Sequence, residues 1–318
     1  MNKVLATALL TVILAGSVSV AQAETGYTQY GKTTTVGKTT TVNKTHMGNY
    51  HTTTYPRYTT ATRNTIMVPE KMTQKERELF AQGRVHFFSK NYPESINFFK
   101  LVLRENPRNV FARQGLAKAY FQRGEFGQAL AEINEALRQD PVTGTFYLTK
   151  AQILDVQGQS EKALENYLTF TAFNPYDTAA DEANFRSQQL MRELEGELTA
   201  EKVAYFKGLH YLSVERPSEA ITQFETVQRI NPSDDKVYVF KGRAFNELNQ
   251  PQSAIQNFEM AIQQNTNNPL AYFFLANTYD REGKVREGRA NWEKFIQQAP
   301  DAQATFDVIR QKSFSTFN

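Results

Sequence analysis

The chain has 318 residues, 40% of them hydrophobic, which is enough apolar surface to bury a sizeable core and excludes a wholly disordered chain. It holds no cysteine, which excludes disulfides, thiolate metal sites, a cysteine nucleophile and lipid attachment at a mature N-terminal Cys. The formal charge is +3, but residues 24–65 alone carry +4 and Lys3 one more, so residues 66–318 stand at −2 and show none of the basic excess that nucleic acid recruits.

Residues 1–23 begin with one positive charge at Lys3, continue through an apolar or small run from Val4 to Val20, and end in Ala21-Gln22-Ala23, the small-x-small form of a cleavage site. This pattern predicts a secretory signal peptide rather than an uncleaved anchor. The run is short for a membrane span and is broken by Gly16, Ser17 and Ser19. No later stretch is long and apolar enough to cross a membrane, so the expectation is a periplasmic or secreted chain that is not an integral membrane protein after cleavage.

Residues 24–72 form a Thr/Tyr-rich tail. Sixteen of the 42 positions from 24 to 65 are Thr and five are Tyr, and GKTTTV occurs twice in succession, at 31–36 and 37–42. With almost no aliphatic residue to bury, the tail is expected to be disordered or extended when alone. It reads either as a spacer or as a segment that adds to a partner's sheet edge, and its basic charge suits contact with acidic envelope material.

At Thr73 the pattern changes. Thr73-Gln74-Lys75-Glu76 has the capping-box form, and helical periodicity follows with no strand-like alternation. Prolines at 107, 141 and 175 are 34 residues apart, and Pro232 and Pro300 stand two such periods apart. Gap-free superposition gives six units, at 76–109, 110–143, 144–177, 201–234, 235–268 and 269–302. The eighth place of each is small: Gly83, Ala117, Ala151, Gly208, Gly242 and Ala276. So is the twentieth, with Ser95, Ala129, Ala163, Ala220, Ala254 and Gly288. The twenty-fourth is large: Phe99, Ile133, Tyr167, Phe224, Phe258 and Trp292, each expected to contribute roughly 1.5–3 kcal/mol on burial. Pro93, Pro217 and Pro251 fall at or next to the start of a second helix, where a missing donor costs little. The eleventh place departs in the first unit, which has His86 where a large apolar group is wanted.

These residues and their spacing resemble the tetratricopeptide repeat, a 34-residue helix–turn–helix unit. The resemblance implies an all-α fold, an α-solenoid of six units, with units one to three in 73–177 and four to six in 201–302. Between them 178–200 reads as an extra helix, which either lengthens a repeat helix or separates two three-repeat arrays; 303–318 reads as a C-terminal capping helix over the open end.

The resemblance also implies a scaffold that binds a protein or peptide on its concave face. The fifth, ninth and twelfth places of each first helix share that face. The candidate residues are Phe80, Arg84, Gln114, Lys118, Phe121, Gln152, Tyr205, Arg243, Phe273 and Asn277, with Asp155 and Asp280 at twelfth places. Arg84 and Lys118, beside Phe80 and Phe121, suit an acidic or C-terminal carboxylate peptide. The Lys and Asn set with which some family members clamp chaperone C-termini is not reproduced. Catalysis has no visible carrier: no P-loop, no G-x-S-x-G, no H-E-x-x-H, and the four histidines lack metal-ligand spacing, so neither cofactor nor metal is expected. The reading is an exported adaptor with an unidentified protein partner. The alternatives are an envelope assembly factor serving polysaccharide export, pilus or outer-membrane biogenesis, and an enzyme whose site is built on the superhelix.

Overall fold

A computed structural model of the chain describes residues 72–302. The signal peptide read at 1–23, nearly all of the tail at 24–72 and the capping helix at 303–318 lie outside the described residues.

Among the described residues all regular structure is helical. Twelve helices form the six pairs: α1 (Gln74–Phe88) with α2 (Tyr92–Glu105), α3 (Val110–Gln122) with α4 (Phe126–Gln139), α5 (Gly144–Val156) with α6 (Ser160–Phe173), α8 (Ala200–Ser213) with α9 (Pro217–Ile230), α10 (Asp235–Glu247) with α11 (Pro251–Gln264), and α12 (Pro269–Arg281) with α13 (Val285–Gln298). The thirteenth, α7 (Ala180–Glu193), is the helix expected within 178–200.

The starts are chemically specified. Thr73 Oγ1 accepts from the Glu76 amide at 3.2 Å while the Thr73 amide donates to Glu76 Oε2 at 2.7 Å, completing the capping box of α1. Asn109 caps α3 and Asn268 caps α12 through their side-chain oxygens, at 2.9 and 3.1 Å. Pro217 and Pro251 are the first residues of α9 and α11.

Within each pair the small eighth place faces the large twenty-fourth. A Cβ built on Gly83 would stand 2.8 Å from the Phe99 ring, and one on Gly242 would stand 2.5 Å from the Phe258 ring, so neither site admits a side chain without moving a buried phenylalanine. Ser95 at the twentieth place is fully buried and donates to the Gly83 carbonyl at 2.8 Å, tying the two helices where they come closest. The turn between helices places the fifteenth residue of every unit in left-handed conformation. Three of these are Gly124, Gly158 and Gly283; the others are Lys90, Glu215 and Asn249, with φ of 60°, 57° and 56°.

The insertion does not divide the core. One apolar cluster runs from Ala151 through Leu168, Leu190 and Leu209 to Ala244, so α5, α6, α7, α8, α9 and α10 share it. Helix α7 buries Ala183, Ser187 and Leu190 beside α6, while α6 also packs directly on α8. Asp155 fastens it: Arg186 donates to both of its carboxylate oxygens at 2.7 Å, and the Asp155 side chain is only 2% exposed. Arg186 also reaches Glu193 at 2.9 Å.

The last unit touches early turns. Arg108, between α2 and α3, lies 3.8 Å from Asp301, and Val142, after α4, packs on the cluster of Phe273, Trp292 and Phe295. Among the described residues no helix is long and apolar enough to cross a membrane.

Candidate partner-binding face

The first helices stack directly on one another, α1 on α3, α3 on α5, α8 on α10 and α10 on α12. Side chains at the fifth place are drawn into the packing between helices. Phe80 is buried with its ring 5.5 Å from Phe99. Tyr205 is buried among Phe206, Phe224 and Phe240, and Phe273 among Phe274, Trp292 and Phe295. Gln114 donates to the Thr145 carbonyl at 3.1 Å and to Thr149 Oγ1 at 3.0 Å, joining α3 to α5. Gln114 and Tyr205 thus join consecutive units, whereas Phe80 and Phe273 pack against the second helix of their own.

The twelfth place divides. Phe121 is half-buried against Phe126 at 5.8 Å, Asp155 is held beneath α7, and the exposed Asp280 accepts from Trp292 Nε1 at 2.7 Å. The ninth place carries most of the polar groups that remain at the face. Gln152 is half-buried. Asn277, also half-buried, donates back to the Phe273 carbonyl at 2.8 Å. Arg84 is half-buried with its guanidinium 5.6 Å from the Phe88 ring centre.

Lys118 is exposed, but its ammonium is partly desolvated by the surrounding protein. That desolvation pulls the ammonium below the ordinary lysine range, Arg84 pushes in the same direction, and Asp177 partly offsets both. Two cations on adjacent first helices thus act on each other.

Arg243 has a different setting. Its Nη2 donates to the Ala172 carbonyl at 2.8 Å, at the end of α6 two units away, and its guanidinium lies 5.2 Å from the Phe173 ring centre and 5.4 Å from that of Phe274. The Phe173 ring stacks on Phe274 at 6.0 Å with 7° between planes, and on Tyr147 at 5.7 Å, and it meets Phe240 at 6.1 Å. One turn on from Arg243, Glu247 lies 3.5 Å from its Nη2; burial, reinforced by Glu215 and opposed by Arg243, lifts the Glu247 carboxyl to about 7. Lys236 pairs with Glu165 of α6 at 2.7 Å. Residues of α6 therefore contact the first helices of the fifth and sixth units.

The convergence on Phe173 was not expected from the repeat pattern, but a signal was present. Phe173 is the thirtieth residue of its unit, where the other units have Glu105, Gln139, Ile230, Gln264 and Gln298. Among the described residues no three His, Cys, Asp or Glu side chains gather as a metal site.

Two stretches, 87–153 and 206–269, match family models described as tetratricopeptide repeat. The chain is 26% identical over 105 residues to a Triticum aestivum Hsp70-Hsp90 organizing protein, a match covering 33% of this chain and 18% of the relative. It is 24% identical over 133 residues to Hsp70-Hsp90 organizing protein 3 of Arabidopsis thaliana, covering 42% and 23%. The chain thus spans about a fifth of the length of the curated relatives it matches. Among solved structures, it is similar to a tetratricopeptide repeat protein from Parabacteroides merdae, at TM-score 0.39 and 15% identity over 75% of this chain and 98% of the other. It is also similar to the TPR2AB domain of yeast Sti1 in its complex with pHSP90, at TM-score 0.35 and 15% identity over 76% and 98%. Repeat spacing, helix pairing and the two matched stretches agree: this chain carries tetratricopeptide repeats, folded as an all-helical solenoid.

Proposed function

We propose that this chain is a non-enzymatic adaptor that captures a protein partner, and that the first two units present Arg84 and Lys118 to an acidic or carboxylate-bearing peptide. The observation that supports this reading is the setting of Lys118, an exposed lysine whose ammonium is held below its ordinary range by desolvation and by Arg84 on the adjacent first helix. An incoming carboxylate relieves that mutual repulsion and gains charge-assisted hydrogen bonds. The curated relatives are named as organisers of two chaperones, which accords with an adaptor role while leaving this chain's partner to its own chemistry. Export through residues 1–23 belongs to the same proposal; recovery of a mature chain beginning at Glu24 tests it.

The test of the site is affinity capture with the full chain and with the double variant Arg84→Glu, Lys118→Glu. Charge reversal is expected to abolish capture of the acidic partner while helical circular dichroism stays unchanged. Undiminished capture by a folded double variant refutes the site.

A further inference from the structure

The end of α6 makes contacts that its own unit does not require. Three of the fully buried phenylalanines of the core, Phe99, Phe224 and Phe258, each lie opposite a small residue of the same pair. Phe173 instead is half-buried and touches first helices of its own, the fifth and the sixth units. Its ring stacks on Phe274, and the carbonyl just before it accepts from Arg243. An aromatic ring held by stacking, with its neighbouring carbonyl held by a guanidinium, is how a groove reads a peptide. Arg243 also keeps a buried Nη1 without a hydrogen-bond partner among the described residues. The internal segment leaves that donor unused, and a partner with one more acceptor would engage it.

We propose that Phe240, Arg243 and Phe274 form a recognition site for a partner peptide that offers an aromatic side chain and the carbonyl preceding it, and that Ala172 and Phe173 occupy this site as an internal stand-in. The inference rests on the partner-binding reading above but concerns a second site, remote in sequence from Arg84 and Lys118. Exchange requires the last turn of α6, where Phe170, Thr171 and Ala172 are buried, to leave the core, so the internal segment holds the site most of the time. The internal segment lowers the apparent affinity for an external peptide by the fraction of time it holds the site.

The probe is the fluorescein-labelled decapeptide LTFTAFNPYD, the sequence of residues 168–177, followed by fluorescence anisotropy against the full chain. Phe173→Ala is expected to bind it about tenfold or more tighter than the unaltered chain. Adding Phe274→Ala or Arg243→Ala to that variant is expected to remove the gain, as is replacing the probe's second phenylalanine by alanine. If circular dichroism shows that Phe173→Ala does not fold, Phe173→Leu takes its place, with a smaller gain expected because leucine fills the site without stacking. Equal binding by the folded variant and the unaltered chain overturns the proposal. So does binding that ignores the probe's aromatic residue or the loss of Phe274. Either failure leaves the Arg84 and Lys118 capture result standing, because that result is read on a different pair of variants.

Discussion

Replacing Glu247 by glutamine isolates the cost of one buried carboxyl. The folded chain holds this carboxyl near 7 against an ordinary 4.5, chiefly through burial, with Glu215 adding repulsion. A carboxyl raised on folding contributes stability that is fully present below 4.5 and is lost as pH rises through 7, because the unfolded chain releases its proton first. The difference between those values, at 1.36 kcal/mol per unit, corresponds to about 3 kcal/mol lost by pH 8.5. Glutamine has nearly the same shape, cannot ionise and still donates and accepts hydrogen bonds. Glu247→Gln is therefore expected to match the unaltered chain at pH 4.5 and to exceed it by as much as about 3 kcal/mol at pH 8.5. Urea unfolding at the two pH values, followed by circular dichroism and by the single tryptophan, Trp292, measures this directly. An equal effect at both pH values, or a loss of stability at pH 8.5, refutes the reasoning and means that attraction to Arg243 outweighs burial at this carboxyl.

Two further outcomes are expected. Arg186→Ala leaves the Asp155 carboxylate buried without its guanidinium, and should cost about 3–5 kcal/mol in urea unfolding, whereas Arg186→Ala with Asp155→Ala should recover much of it. Lys90→Gly removes a side chain from a left-handed residue and should raise the unfolding free energy by about 1 kcal/mol; no gain would show that Lys90 is not strained there.

The fold was legible because its closest contacts lie within single units. Gly83 against Phe99 and Gly242 against Phe258 are separated by a fixed number of residues, so the need for one small and one large group recurs along the chain. The same locality exposed α7, whose apolar residues stand at helical spacing where the repeat is interrupted. The candidate face was legible only as a set of positions. Spacing places Phe80, Tyr205 and Phe273 on one side of their helices, but only the packing of whole helices decides that they are buried. Arg243 could be read as a cation on the inner face; its contacts with Ala172 and Phe173 depend on how two nonadjacent units approach, which no local period encodes. The left-handed turns were readable at Gly124, Gly158 and Gly283, and hidden at Lys90, Glu215 and Asn249, which carry no glycine to mark them.

A linear array of repeats melts as a row of dominoes, each unit supported by its neighbours, and so frays from either end. Here Asp301 leans on Arg108, Val142 packs against the Phe273 cluster, and Phe274 is stacked on Phe173. The sixth unit cannot loosen without breaking contacts made by the first three. Its helices should therefore exchange their amide protons at rates tied to those of α3 to α6, as members of one cooperative block rather than as the frayed tip of a chain.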